Sequence, residues 1–183
     1  MVKGNPLKLM LQFALPLLIG NLLQQTYNII DAAIVGQILG AKALASVGAS
    51  SSVQFLVLGF CMGSCTGFGV PVAKYFGADD LEKMRNYIFN GAVLVAAIAV
   101  VVTGTCSILC QQILHLLSVP EDIFEGAYAY LIVIFLGIPF TLMYNYLSSV
   151  LRSVGDSRTP FIFLAFSACL NIFLDLFCIV VLK

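Results

Sequence analysis

Charge is what this sequence has least of. Only 10% of its 183 residues are Asp, Glu, Lys or Arg, while 61% are hydrophobic. Soluble domains carry about 25% charged residues, so that class is excluded. A mean hydropathy of +1.03 identifies an integral membrane protein. The nine basic and nine acidic residues cancel, which leaves no positive field for a nucleic-acid partner. There is one histidine, His115, and no Cys-x-x-Cys pair, so the spacing of a zinc site is missing. Cys61, Cys65, Cys106, Cys110, Cys169 and Cys178 all fall inside apolar segments and read as small packing residues. No period of 20–50 residues repeats. The first apolar segment runs from Leu9 to Ile38, longer than the roughly 7–15 residues of a cleaved leader, so a leader is not expected.

What is present is long hydrophobic runs. Charges divide the chain into five: about Leu9–Ile38, the 31 uncharged residues between Lys42 and Lys74, the 35 between Arg85 and Glu121, the 26 between Glu125 and Arg152, and about Pro160–Leu182. Some 20 apolar residues span a bilayer as a helix, and backbone groups in hydrocarbon must bond within their own helix. The expected fold is all-α: a polytopic bundle of five transmembrane helices forming one domain over residues 1–183. Short connections make consecutive spans antiparallel. Lys3, Lys8, Lys74, Lys83, Arg85, Arg152 and Arg158 fall on one side, and Lys42 and Lys183 on the other. Cytoplasmic loops carry the Lys/Arg excess, so the N-terminus is expected in the cytoplasm.

Local signals suggest the helix ends. Thr159 before Pro160 reads as an N-cap, Ser118 with Glu121 as a capping box opening the fourth span, and Ser50–Ser52 with Gln54 as a cap of the second. Asp79 and Glu82 suggest a short interfacial helix before the third. Pro16 and Pro139 fall inside spans, where proline bends helices. Tyr75, Tyr87, Tyr128 and Tyr130 suit the interface, as does His115. Gly59, Gly63 and Gly67, spaced i, i+4, i+8, predict a ridge where another helix packs closely, one of the same chain in preference to one of a second copy.

Against this apolar background two acids stand alone. Asp31 is the only charge between Lys8 and Lys42, and Asp175 the only one between Arg158 and Lys183. A charge at mid-bilayer costs about 2.5–3.5 kcal/mol on insertion scales, so such residues face a bundle interior or a polar cavity. Asn21, Gln24, Gln25, Asn28 and Asp31 recur at helical spacing and fall on one face, a stripe better suited to a water-filled cavity than to lipid. Asn171 and Asp175 lie one turn apart on one helix face. An amide oxygen and a carboxylate are hard oxygen ligands that suit sodium, and two carboxylates close together in low dielectric cannot both stay ionised cheaply, which suits a proton. Tyr144, Asn145 and Tyr146 are candidates for a cavity wall.

Several stretches together resemble the multidrug and toxic compound extrusion (MATE) transporters: FALPLLIGNLLQQTYNIIDAAIVGQILGAKALASVG (Phe13–Gly48), VAKYFGADDLEKMRN (Val72–Asn86), VPEDIFEGAYAYLIVIFLGIPF (Val119–Phe140), LRSVGDSRTP (Leu151–Pro160) and NIFLD (Asn171–Asp175). The resemblance implies a plasma-membrane antiporter, not an enzyme. It would have no cofactor and would couple sodium or proton influx to export of bulky, often cationic organic compounds. It also implies a cation site, for Na+ or H+, at Asp31, Asn171 and Asp175, beside a cavity lined by Asn21, Gln24, Gln25, Asn28 and Tyr144. The family has about twelve helices in two lobes, so five helices are expected to form part of an N-terminal lobe whose partner is the second lobe. An inactive truncated piece is the alternative on that count. A lipid-linked substrate flippase of the wider superfamily is another, though the spans hold no Lys or Arg to meet a phosphate. An aspartyl protease dyad is disfavoured by the Ile30-Asp31 and Leu174-Asp175 contexts.

Overall fold

The computed structural model describes residues 6–34, 36–37 and 40–181. They form five helices: α1 Pro6–Ile34, α2 Ala41–Gly77, α3 Leu81–Leu116, α4 Glu121–Ser153 and α5 Arg158–Val181. Among the described residues α2, α3 and α4 are long and apolar enough to cross a membrane, and Arg158–Leu174 of α5 is a shorter apolar stretch. The five expected spans are thus five helices; α2 and α4 reach past the charges that bracket their apolar runs, while α1, α3 and α5 end short of the second one. The helices run on through Pro16 and Pro139.

The stops and starts differ from the local signals. Helices α2, α3 and α4 end alike. A left-handed residue follows each C-cap: Asp79 (φ 58°), Ser118 (φ 53°) and Gly155 (φ 91°). Its N–H bonds Phe76, His115 and Arg152 O respectively, and the next N–H bonds Tyr75, Leu114 and Leu151 O. These paired bonds satisfy carbonyls that a helix end leaves orphaned. Ser118 therefore closes α3 rather than capping α4, which opens at Pro120 without a side-chain cap. No separate interfacial helix precedes α3, because Asp80 caps it directly, accepting from the Lys83 N–H at 3.1 Å and from Lys83 Nζ at 2.8 Å. Ser50–Ser52 lie well inside α2, which begins at Ala41. At α5 the cap is Asp156, not Thr159. One carboxylate oxygen accepts the Arg158 and Thr159 N–H groups at 3.0 Å each, and the other accepts the Thr159 hydroxyl at 2.6 Å.

Those bonds, the Thr159 hydroxyl first, hold the Asp156 carboxyl below the usual carboxylate range. A group depressed in the folded state stabilises above its unfolded pKa and loses that contribution as pH falls through the folded one. Asp156→Asn is therefore expected to lower the thermal midpoint at neutral pH. The gap to the parent should close as pH drops below the ordinary carboxylate value, and a gap independent of pH would contradict the charge-based cap.

Helix α4 is the centre of the packing. It lies against α2, α3 and α5, with its broadest interface on α2. Leu131, Phe135, Ile138 and Leu142 on α4 are fully buried, joined by Cys61 and Cys65 of α2 and Cys110 of α3. The cysteines thus pack as expected, except that Cys169 is exposed and Cys178 has a side chain outside the described ones. Three bonds run down the α2–α4 interface: Ser46 Oγ to Ile123 O, Cys65 Sγ to Leu142 O, and Ser153 Oγ to Gly69 O. Each joins residues 77–84 positions apart, the near-constant offset of parallel helices. Tyr146, expected at a cavity wall, is buried instead and donates to Ile88 O at 2.6 Å, tying α4 to α3.

The glycine ridge is not where helices meet. A Cβ at Gly59, Gly63 or Gly67 would touch nothing within 4 Å, so the expected internal contact is absent. Close approach occurs at three isolated glycines. A Cβ at Gly69 would collide with Ser149 Oγ and lie 2.8 Å from Ser153 Oγ. One at Gly91 would lie 2.5 Å from Tyr146 Oη, and one at Gly126 would lie 2.8 Å from Ser46 Oγ.

Candidate functional site

Helix α1 packs chiefly on α5 and, although consecutive with α2, shares no extended interface with it. The space between them is a cavity of about 580 Å³. Gln24, Gln25, Asn28 and Asp31 of α1 form one wall, Ser51, Gln54, Leu58 and Met62 of α2 face them, and Tyr130 of α4 closes the side. Asp31 is the only charged residue among its lining. Four polar side chains of the α1 stripe thus stand at one cavity, across which the polar face meets α2 and α4. Asn28 Nδ2 donates to Gln25 Oε1 at 3.2 Å, and Thr26 and Ser51 turn their hydroxyls back to Leu22 O and Gly48 O. Asp31, Tyr130 and Asn171 are each engaged with a neighbour.

Asn171 and Asp175 belong to α5. Asn171 is half-buried, and the side chain of Asp175 lies outside the described ones. Their height follows from the α1–α5 contact. A Cβ at Gly20 would lie 3.2 Å from Leu164 and 3.5 Å from Phe161, and with four connections between them the two helices run in the same direction. Gly20 and Leu164 are 144 positions apart. The same offset pairs Asp31 with Asp175, each about 16 Å further along its helix at 1.5 Å per residue. Among the described residues no group of three His, Cys, Asp or Glu gathers as a metal site. The donors at this level are carboxylate and amide oxygens, which suit an alkali cation or a proton rather than a transition metal.

Asn21 and Tyr144 stand elsewhere. They share a small crevice of about 40 Å³ with Arg152 and Phe161, and Tyr144 donates to Pro160 O at 3.3 Å. Tyr144 also opens onto an apolar crevice of about 500 Å³ between α4 and α5. Asn145 turns back to Thr141 O. His115 lies exposed at the end of α3, its ring 4.6 Å from that of Phe124. Tyr75 and Tyr87 stack at 5.0 Å beside Lys74 and Lys83, where two helix ends meet.

Gln54, Ser51 and Tyr130 are cavity residues that local sequence signals misassign. Ser51, Gln54, Leu58 and Met62 are spaced by three and four, a single helix face. Tyr130 is nine residues into α4 and lines the cavity from that helix.

Comparison with known proteins agrees with this fold. The MatE family model matches residues 16–177. The probable multidrug resistance protein YpnP of Bacillus subtilis is 37% identical over 169 residues, covering 92% of this chain and 38% of that protein. The multidrug export protein MepA of Staphylococcus aureus is 26% identical over 176 residues, 94% of this chain and 38% of its own length. Among solved structures, the outward-facing conformation of a multidrug resistance MATE family transporter superposes with a TM-score of 0.92 at 26% identity, over 98% of this chain and 40% of that one. A MOP superfamily transporter from Pyrococcus furiosus, described as having a binding pocket of reverse polarity, gives 0.92 at 25% identity over 100% and 40%. The chain thus spans less than two fifths of the length of these curated relatives. By its family match and its five-helix membrane fold, the chain belongs to the MatE family, which consists of multidrug efflux transporters and not enzymes.

Proposed function

We propose that this chain forms part of the N-terminal lobe of a cation-coupled antiporter, working with a second lobe to export organic, often cationic, compounds across the plasma membrane. The observation that carries the reading is Asp31, the one charge in a polar cavity inside a membrane bundle, with Asp175 at the same height on the parallel helix α5. Asp31, Asn171 and Asp175 capture the coupling ion, Na+ or H+. Gln24, Gln25 and Asn28 keep its approach wet, while Asn21 and Tyr144 extend the polar lining toward the opposite end. The opposing wall of Phe55, Leu58 and Met62 is apolar, and amide groups facing an apolar wall fit an organic cation.

The basic excess orients the lobe. The α2–α3 and α4–α5 turns lie at the end where α1 begins, and the helix ends they join carry Lys74, Lys83, Arg85, Arg152 and Arg158. That end is cytoplasmic by the Lys/Arg rule, so the cavity half that holds Asp31 lies toward the outside.

The test is gradient-driven export by the whole transporter in proteoliposomes, with sodium and proton gradients imposed separately. One of the two gradients is expected to drive organic-cation efflux in the parent, and Asp175→Asn is expected to abolish it. Unchanged driven efflux in that variant would overturn the assignment.

A further inference from the structure

The α2 wall of the cavity carries an amide with no evident structural task. Gln54 is half-buried and lines the same cavity as Asp31, yet no described residue hydrogen-bonds its side chain. Its neighbours behave differently. Ser46, Ser50, Ser51, Ser64 and Thr66 on α2 all turn their hydroxyls back onto carbonyls of their own helix. A polar side chain in a membrane interior is costly unless it is matched, and Gln54, unlike Asn145 of α4, does not turn back onto a carbonyl of its own helix. The α1 wall of the same cavity carries Gln24, Gln25, Asn28 and Asp31, of which Asp31 is the one charge, on a helix that shares no extended interface with α2.

We propose that Gln54 is a positioning residue for Asp31. When the carboxylate is ionised the cavity narrows, and the Gln54 amide donates to it from α2. When Asp31 holds its cation the bond is released. The inference rests on the coupling role given to Asp31 above and adds a second helix to it: α2, which brings no acid, sets how tightly the acid on α1 holds its ion. Among the described side chains the charged and titratable groups lining this space are Asp31 on α1 and Tyr130 on α4, and the backbone position of Asp175 on α5 is level with Asp31. Helix α2 brings no charge between Lys42 and Lys74.

The test reads the protonation of Asp31 without transport. Dicyclohexylcarbodiimide modifies protonated carboxyl groups in apolar surroundings, and mass spectrometry of the labelled chain in nanodiscs locates the adduct at each pH. A donor to the ionised form favours that form, so Gln54→Met, which keeps the length and removes the donor, is expected to move the labelling midpoint of Asp31 upward by about one pH unit. Ser51→Ala, on the same wall but with its hydroxyl committed to Gly48 O, is expected to leave the midpoint in place. Superimposable curves for Gln54→Met and the parent overturn the proposal, as does an equal shift in Ser51→Ala, which would report general loosening. Should Gln54→Met not fold, Gln54→Glu decides. A second acid beside Asp31 raises the midpoint if position 54 faces it and leaves the midpoint unmoved if it does not. Absence of any Asp31 labelling in the parent would instead count against the coupling role itself, a different failure from that of Gln54.

Discussion

Gly69→Leu is expected to destabilise the chain by about 3 kcal/mol or more, at the upper end of what overpacking costs. Gly63→Leu, six residues earlier on the same helix, is expected to stay within about 0.5 kcal/mol of the parent. A side chain at Gly69 runs into Ser149 and Ser153 of α4, and the Gly69 carbonyl already holds the Ser153 hydroxyl at 2.8 Å. The serines are short, so rotamer changes cannot clear the space and α4 itself must move. That interface is the broadest in the bundle, and in hydrocarbon it has little hydrophobic drive to compensate, because close packing and interhelical bonds carry the association. At Gly63 a side chain projects into open space. Detergent titration of helix content in the two variants makes the comparison, and equal loss in both would show that the α2–α4 contact is not what holds the bundle.

The same pair of residues shows where reading the sequence stops. Charge spacing was enough to set the number of helices and to place their ends near the bracketing residues, since a membrane leaves a long apolar run little choice but helix. The i, i+4 rhythm of Gly59, Gly63 and Gly67 says which side of α2 lacks side chains but not what that side faces. Gly69, Gly91 and Gly126 stand outside that rhythm, and their partners come from other helices. The turn residues misled for a related reason. Asp80 and Asp156 each follow a left-handed stop and then cap the next helix, so at α5 the acid does the work that a neighbouring Thr159 suggested for itself, while Ser118 is itself the left-handed stop of α3. The cavity was half legible. The α1 stripe declares itself by polarity in an apolar run, but Gln54 and Tyr130 become cavity residues only once α2 and α4 are packed.

Asp31→Asn is expected to weaken cation capture about 100-fold, equivalent to roughly 2.7 kcal/mol, and with it to abolish gradient-driven export. Asparagine keeps the shape and one carbonyl oxygen but cannot bind a proton in the relevant range, and it offers sodium no net charge to offset the loss of hydration. The remaining lining is amides, hydroxyls and apolar groups, so nothing else in the cavity substitutes for the charge. Binding of the organic compound in the absence of a gradient should change much less, because Gln24, Gln25 and the apolar α2 wall remain. The measurement is the sodium or proton concentration needed for half-maximal export, set beside equilibrium binding of the compound. A coupled rate within twofold of the parent would remove Asp31 from the mechanism, and equal loss of binding and coupling would make it a substrate ligand only.

The pairing of α1 with α5 bears on how the chain is made. About 120 residues separate the end of α1 from the start of α5, which at roughly 5–20 residues per second is some 6–25 seconds of synthesis. The first helix to leave the ribosome is thus the last to find its mate, while α2, α3 and α4 can dock on one another in order of emergence. For that interval the α1 face around Gly20, which ends against Phe161 and Leu164, must be covered by something other than its final neighbour, so the biogenesis of α1 is the step most exposed to error.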